Sequence, residues 1–178
     1  MDFSRVIIVS DRHLFDCEAA PEAAFLSYLE RVSAMRPHAL LLREKDMREA
    51  DYLALARRVR ARIPSVPLIL HSFPRAAKEL PCDRLHLPLA LLQQIKEEQP
   101  SLLEGCSSLG ASVHAVDEAV RAVSLGASYL IAGNIYETDC KPGLAARGLS
   151  FLTEVCKAVP VPVYAIGGIT PERLPEVL

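Results

Sequence analysis

The sequence predicts an α/β protein: a parallel TIM-type (β/α)8 barrel that lacks its final β/α unit in this chain. Three observations lead there. Seven short apolar runs alternate with helical patterns at intervals of roughly 18 to 34 residues, the rhythm of a parallel barrel. The run Ser128-Tyr-Leu-Ile-Ala132 reads as a buried parallel strand. The chemically richest stretches directly follow the sixth and seventh runs, at the strand ends where such folds carry their sites. An open doubly wound sheet is the alternative. No linker, low-complexity tract or second domain interrupts residues 1–178, which read as one domain. Pro171 to Leu178 begins a seventh helix, and an eighth unit would need on the order of 25 further residues.

Each element has a local reason. Arg5 to Ser10 reads as strand one, and Pro21 opens a helix with Phe25, Leu29 and Val32 on one face. Ala39 to Leu42 is strand two, followed by Arg43-Glu44-Lys45. Asp46 is placed to cap the next helix, with Glu49 completing a capping box. That helix buries a stripe of Tyr52, Leu55, Val59 and Ile63, which leaves Arg57, Arg58, Arg60 and Arg62 on a wet face. Val66 to Leu70 is strand three and runs into His71-Ser72. Arg84 to Leu87 is strand four, and Leu109 to Ser112 strand five. A helix from Val116 to Leu125 stops at Gly126, a natural residue just past a helix end. Strand six is followed by a helix from about Leu149 that buries Leu152, Val155 and Val159. Val161 to Ile166 is strand seven.

Composition narrows the function classes. With 178 residues and 51% apolar content, one chain can bury a sizeable core, and no run of apolar residues is long enough to span a membrane. A net charge of −2 argues against a nucleic-acid partner, which would need a basic face. The start lacks a basic leader and a cleavable apolar segment, so a cytoplasmic address is expected. The five cysteines, Cys17, Cys82, Cys106, Cys140 and Cys156, form no C-x-x-C pair, so reduced thiols are expected rather than a zinc cluster or disulfide framework.

The loop after strand six, Gly133 to Gly148, gathers Asn134, Glu137, Asp139, Cys140 and Lys141. Gly167-Gly168 after strand seven can present backbone N–H groups to a small anion, phosphate above all. Arg43 and Lys45 at the end of strand two add positive charge for a phosphate or carboxylate. Ser112 is a hydroxyl donor at the end of strand five, and His114 reads as a helix-start residue.

The wording Gly-Asn-Ile-Tyr-Glu-Thr-Asp-Cys-Lys-Pro-Gly-Leu-Ala-Ala-Arg-Gly closely resembles the strand-six loop of TenI proteins, the thiazole tautomerase branch of the thiamine phosphate synthase/TenI superfamily. The resemblance spans most of the chain. It implies a thiazole phosphate ligand held by Arg43, Lys45, Ser112, Lys141, Gly167 and Gly168, with metal-independent proton transfer. Asn134 stands where that branch has a histidine, and asparagine does not titrate. The transfer then falls to Glu137, Asp139, Cys140 or His71, while Asn134 is left to bond a ligand carboxylate or ring nitrogen. The runner-up is a thiamine phosphate synthase, which joins a pyrimidine diphosphate to a thiazole phosphate and would use Mg2+. In that branch a glutamine holds the pyrimidine where Leu41 stands here, and acids bind Mg2+ where His71-Ser72 and Leu87-Pro88 stand. A third reading is a catalytically silent ligand-binding or regulatory homologue. No cofactor is expected unless the synthase reading holds, and the gap of a missing last unit motivates a homo-oligomer.

Overall fold

A computed structural model describes residues 3–138 and 143–178. Seven strands alternate with helices: β1 Ile7–Val9, α1 Pro21–Ser33, β2 Ala39–Leu42, α2 Glu49–Arg62, β3 Leu68–His71, α3 Pro74–Glu79, β4 Arg84–Pro88, α4 Leu89–Glu98, β5 Ser108–Val113, α5 Val116–Ser124, β6 Tyr129–Gly133, α6 Gly148–Ala158, β7 Val163–Ile166 and α7 Leu174–Val177. Strand order in the sheet follows sequence order from β1 to β7. A doubly wound sheet would reverse its order at a switch point, so this order selects the TIM-type β/α fold over that alternative. The chain divides into two compact units, Met1–His86 with Leu102–Ser107, and Leu87–Ser101 with Ser108–Leu178.

In the first unit β1, β2 and β3 pair in parallel, with Ile8 opposite Leu40 and Leu42 opposite Leu70. Every residue of β2 and β3 is buried, which is why these strands are continuously apolar rather than alternating. Helix α2 buries Tyr52, Leu53, Leu55, Ala56 and Val59, as the stripe predicts. Its arginines lie on the outer face. Arg58 pairs with Glu22 at 2.9 Å and Arg62 with Glu30 at 3.2 Å, both on α1. Exposed pairs of this kind are worth about 0–1 kcal/mol each, so the apolar stripe and not the charges seats the helix.

The expected capping box does not form. Helix α2 starts at Glu49 behind Arg48, whose side chain makes no cap bond. Arg12, in the 3-10 turn Arg12–Phe15, takes the Asp46 carboxylate instead, with its two terminal nitrogens at 2.9 and 2.5 Å. A bidentate guanidinium bond outweighs one backbone cap bond, and it holds the Asp46 carboxyl down to about 2.

In the second unit β5, β6 and β7 pair in parallel, with Ser112 opposite Ile131 and Gly133 opposite Ile166. A Cβ on Gly133 would lie 2.5 Å from Ile166 Cγ2, so only glycine permits this approach of β6 to β7. Helix α5 buries Ala119 and Ala122, and the chain leaves it through Gly126 at φ 94°. Helix α6 buries Leu152 and Val155. Among the described residues no helix is long and apolar enough to cross a membrane. The described cysteines Cys17, Cys82, Cys106 and Cys156 are free thiols, and Cys140 lies outside the described residues.

Candidate functional site

In the first unit the predicted residues Arg43, Lys45 and His71 are gathered where β2 and β3 end. Tyr52 holds this edge together. Its hydroxyl donates to the Leu42 carbonyl at 2.7 Å and accepts the His71 N–H at 2.9 Å, and its ring stacks on Phe73 at 4.2 Å. One fully buried phenol therefore ties the last residue of β2 to the last residue of β3. Burial pushes that phenol above its ordinary pKa, so it stays a neutral donor.

The intervening acid, Glu44, is buried and turned away from Arg43. Its carboxylate accepts the Ser10 hydroxyl at 2.5 Å, the Arg12 N–H at 3.3 Å and the Arg12 guanidinium at 3.5 Å. The Arg43 N–H donates to Ser10 Oγ at 2.9 Å, which fixes the backbone just past β2. Among the described residues no carboxylate lies within ion-pair distance of Arg43. Burying Glu44 against Ser10 and Arg12 thus keeps that carboxylate off the half-buried Arg43 guanidinium.

His71 is buried beneath these cations, with its ring stacked 5.7 Å from that of His86. Burial pushes its imidazole down to about 3, and the charges of Arg43 and Lys45 press the same way. His86 falls to about 3 for the same first reason, with His71 adding to it. Both rings are neutral near pH 7, so His71 does not exchange a proton there. It shares a hydrogen with Ser72 Oγ at 2.8 Å, and Ser72 itself has φ 65°.

These residues suit an anion better than a metal. Mg2+ asks for hard and preferably anionic oxygens, whereas the end of β3 offers a neutral imidazole, a serine hydroxyl and adjacent positive charge, with the second neutral imidazole, His86, buried within β4 beside it. Among the described residues no three His, Cys, Asp or Glu side chains are grouped for a metal. The donor set does not fit the Mg2+ that the synthase branch implies.

In the second unit Asn134 and Gly167 are brought together. A Cβ on Gly167 would lie 2.5 Å from Asn134 Cβ, and one on Gly168 would lie 2.7 Å from Tyr136 Cβ. Both glycines have positive φ, 97° and 63°. The turn after β7 is thus glycine because it lies against the β6 loop, a packing demand that exists with or without an anion. Glu137 is exposed, and its carbonyl lies beside Gly168. Ser112 is half-buried in β5. Asp139, Cys140 and Lys141 lie outside the described residues.

His114 stands just before α5, at the helix start where the sequence puts it, whereas Arg173 escaped the sequence reading. His114, just past β5, donates from Nδ1 to the Gly133 carbonyl at 2.6 Å, while its own N–H is held by Glu118 at 2.5 Å. The carbonyl accepts only, so Nδ1 carries the hydrogen of this bond. Arg173 donates to the Gly168 carbonyl at 2.8 Å and lies 4.4 Å over the Tyr136 ring, whose hydroxyl bonds Glu176 at 2.9 Å. A guanidinium therefore stands at the twin-glycine turn. Its only signal in the sequence is an arginine shortly after Thr170-Pro171.

Comparison with known proteins places this geometry. The family model described as thiamine monophosphate synthase matches residues 6–178. The chain is 36% identical to a thiamine-phosphate synthase of Thermus thermophilus over 87% of its length and 75% of that protein's. It is 29% identical to a thiamine-phosphate synthase of Clostridium botulinum over 99% of its length and 80% of that protein's. A solved thiamine phosphate pyrophosphorylase from Pyrococcus furiosus superposes with TM-score 0.77 at 23% identity, covering 99% of this chain and 81% of that one, a likeness of fold. These findings overturn the tautomerase expectation, because the named relatives are synthases. The strand-six loop marks the superfamily and not the branch, and Asn134 never offered the titrating group that tautomerisation needs. The chain belongs to the thiamine monophosphate synthase family.

Proposed function

We propose that the chain joins a pyrimidine diphosphate to a thiazole phosphate. The thiazole ring nitrogen forms a bond to the pyrimidine's methylene carbon, the carbon–oxygen bond to the diphosphate breaks, and its electron pair leaves with pyrophosphate. Kinship with synthases over nearly the whole chain is the observation that carries this reading. The site supports it, because the step builds negative charge on a departing diphosphate and Arg43 stands with its neighbouring acid already withdrawn. Fixed cations aimed at developing charge act without reorganisation, which is the largest usual contribution to such a step.

Arg43 and Lys45 serve the diphosphate, with arginine able to take two oxygens at once. Tyr52 and Ser10 hold the carbonyl and the N–H of the Leu42–Arg43 peptide that leads into Arg43. Arg173, Gly167 and Gly168 serve a phosphate at the β7 turn and Ser112 contributes a further polar contact, while Glu137, Asp139, Cys140 and Lys141 are the polar residues of the sequence that follows β6. Because the donors at β3 and β4 do not fit Mg2+, no step is assigned to a metal. The test is 31P NMR of the purified protein with both heterocycles. One pyrophosphate released for each coupled product is expected, and ligand binding without pyrophosphate or product would refute the reading.

A further inference from the structure

The run Arg43-Glu44-Lys45-Asp46 alternates cations with acids, so each acid has a cation as its immediate neighbour in the chain. Left to themselves, four such charges just past one strand would neutralise one another. Both acids are instead held by a single guanidinium, that of Arg12, from 32 and 34 residues earlier. Arg12 Nη1 donates to Asp46 Oδ1 at 2.9 Å and Nη2 to Asp46 Oδ2 at 2.5 Å, while Nη1 also stands 3.5 Å from Glu44 Oε2. The Arg12 N–H donates to that same Glu44 oxygen at 3.3 Å, and the Ser10 hydroxyl takes the other at 2.5 Å. His13 adds to the grip, with Nε2 3.3 Å from Asp46 and Nδ1 2.8 Å from Asp16.

We propose that Arg12 is a positioning residue for diphosphate binding: it sorts the charges of this run, drawing Glu44 and Asp46 to the β1 turn so that Arg43 meets the anion without a competing carboxylate. The Ser10 hydroxyl and the Arg12 N–H also bond Glu44, but neither carries a countercharge. Glu44 is the acid that matters most. It is only 2% exposed, so water and salt screen it little, whereas the Asp46 side chain is 51% exposed. A buried carboxylate that loses its cation keeps a charge it cannot shed into solvent, and the cations next to Glu44 in the chain are Arg43 and Lys45. Its charge would then oppose an anion at the end of β2. The planar fork of a guanidinium can hold two carboxylates at once, which the point charge of an ammonium does not match. This role rests on the diphosphate-binding part given to Arg43 in the coupling reading.

The experiment is a double-mutant cycle read by calorimetric titration of pyrophosphate, with a chelator present, into wild type, Arg12→Met, Glu44→Gln and the double variant. Arg12→Met is expected to weaken binding about tenfold or more, and Glu44→Gln added to it to recover most of that loss. In the wild-type background Glu44→Gln is expected to shift affinity less than about twofold, because the acid is already withdrawn. A mere count of charges predicts the same gain from Glu44→Gln in both backgrounds, and a merely structural Arg12 predicts no recovery. Either of those results, equal affinity of wild type and Arg12→Met, or no binding by wild type would overturn the proposal. Should Arg12→Met fail to fold, Arg12→Lys takes its place in the cycle. One ammonium holds one carboxylate, so a smaller loss with the same background-dependent recovery is expected, and its absence would overturn the proposal equally. Pyrophosphate release from the two heterocycles is a separate measurement. Background-dependent recovery without release would sink the coupling reading alone, and release with an additive cycle would sink this one alone.

Discussion

Replacing Tyr52 with phenylalanine removes one oxygen and leaves the ring. The stack on Phe73 at 4.2 Å survives, so no cavity opens. What is lost is the pair of bonds at 2.7 and 2.9 Å that join the Leu42 carbonyl to the His71 N–H. Both partners are backbone groups of fully buried strands, and each orphaned group costs about 1–3 kcal/mol. Subtracting the relief of burying one hydroxyl fewer gives a loss of about 2–4 kcal/mol. With a urea dependence of about 2 kcal/mol per molar, the unfolding midpoint should drop by about 1–2 M. Because Arg43 follows Leu42 directly, pyrophosphate affinity should fall in the same variant under native conditions. An unfolding free energy within about 0.5 kcal/mol of wild type would refute the claim that this phenol braces the edge.

Acid should destabilise the protein earlier than its carboxylates alone dictate. The folded His71 and His86 titrate near 3 and the unfolded chain near 6.5, so the unfolded state binds more protons between those values. Stability is fully present above about pH 6.5 and falls as pH drops, by up to about 1.4 kcal/mol per pH unit for each ring. Urea midpoints at pH 7.5 and 5.0 test this, with His71→Asn expected to lessen the slope, and an unchanged midpoint would contradict it. Gly167→Ala should cost more than about 1 kcal/mol, since it forces a side chain to φ 97° and into Asn134. A thermal scan matching wild type would count against that packing. Glu44→Leu should leave the Ser10 hydroxyl without its buried partner and Arg12 held by Asp46 alone, and lower stability by about 1–3 kcal/mol. Chemical denaturation measures it.

The fold was legible because its signal is collective. Runs such as Ala39–Leu42 and Tyr129–Gly133 are apolar throughout, as strands covered on both faces must be, and the order of such runs is the topology. Where the sequence misled, one long-range partner overrode a local rule. Asp46 has the spacing of a cap, but Arg12, 34 residues earlier, takes its carboxylate. Tyr52 sits within an apolar stripe, and nothing local reveals that its hydroxyl bridges two strands. The site was legible as residue types at strand ends. Its electrostatics were not, since the turning of Glu44 away from Arg43 and the silencing of His71 by burial depend on packing. The branch was misread for a related reason. The twin glycines after β7 serve the approach of that turn to Asn134 and Tyr136, a structural need that catalysis of either kind leaves in place.

The central claim is that the end of β2 is an anion seat built by withdrawing Glu44 from Arg43. Calorimetric titration of pyrophosphate into wild type and Arg43→Met, with a chelator present, tests it most directly. Metal-independent binding that weakens about tenfold or more in the variant, the worth of one charge-assisted bond, is the predicted result. Equal affinity in the two proteins, or no binding by the wild type, would contradict it.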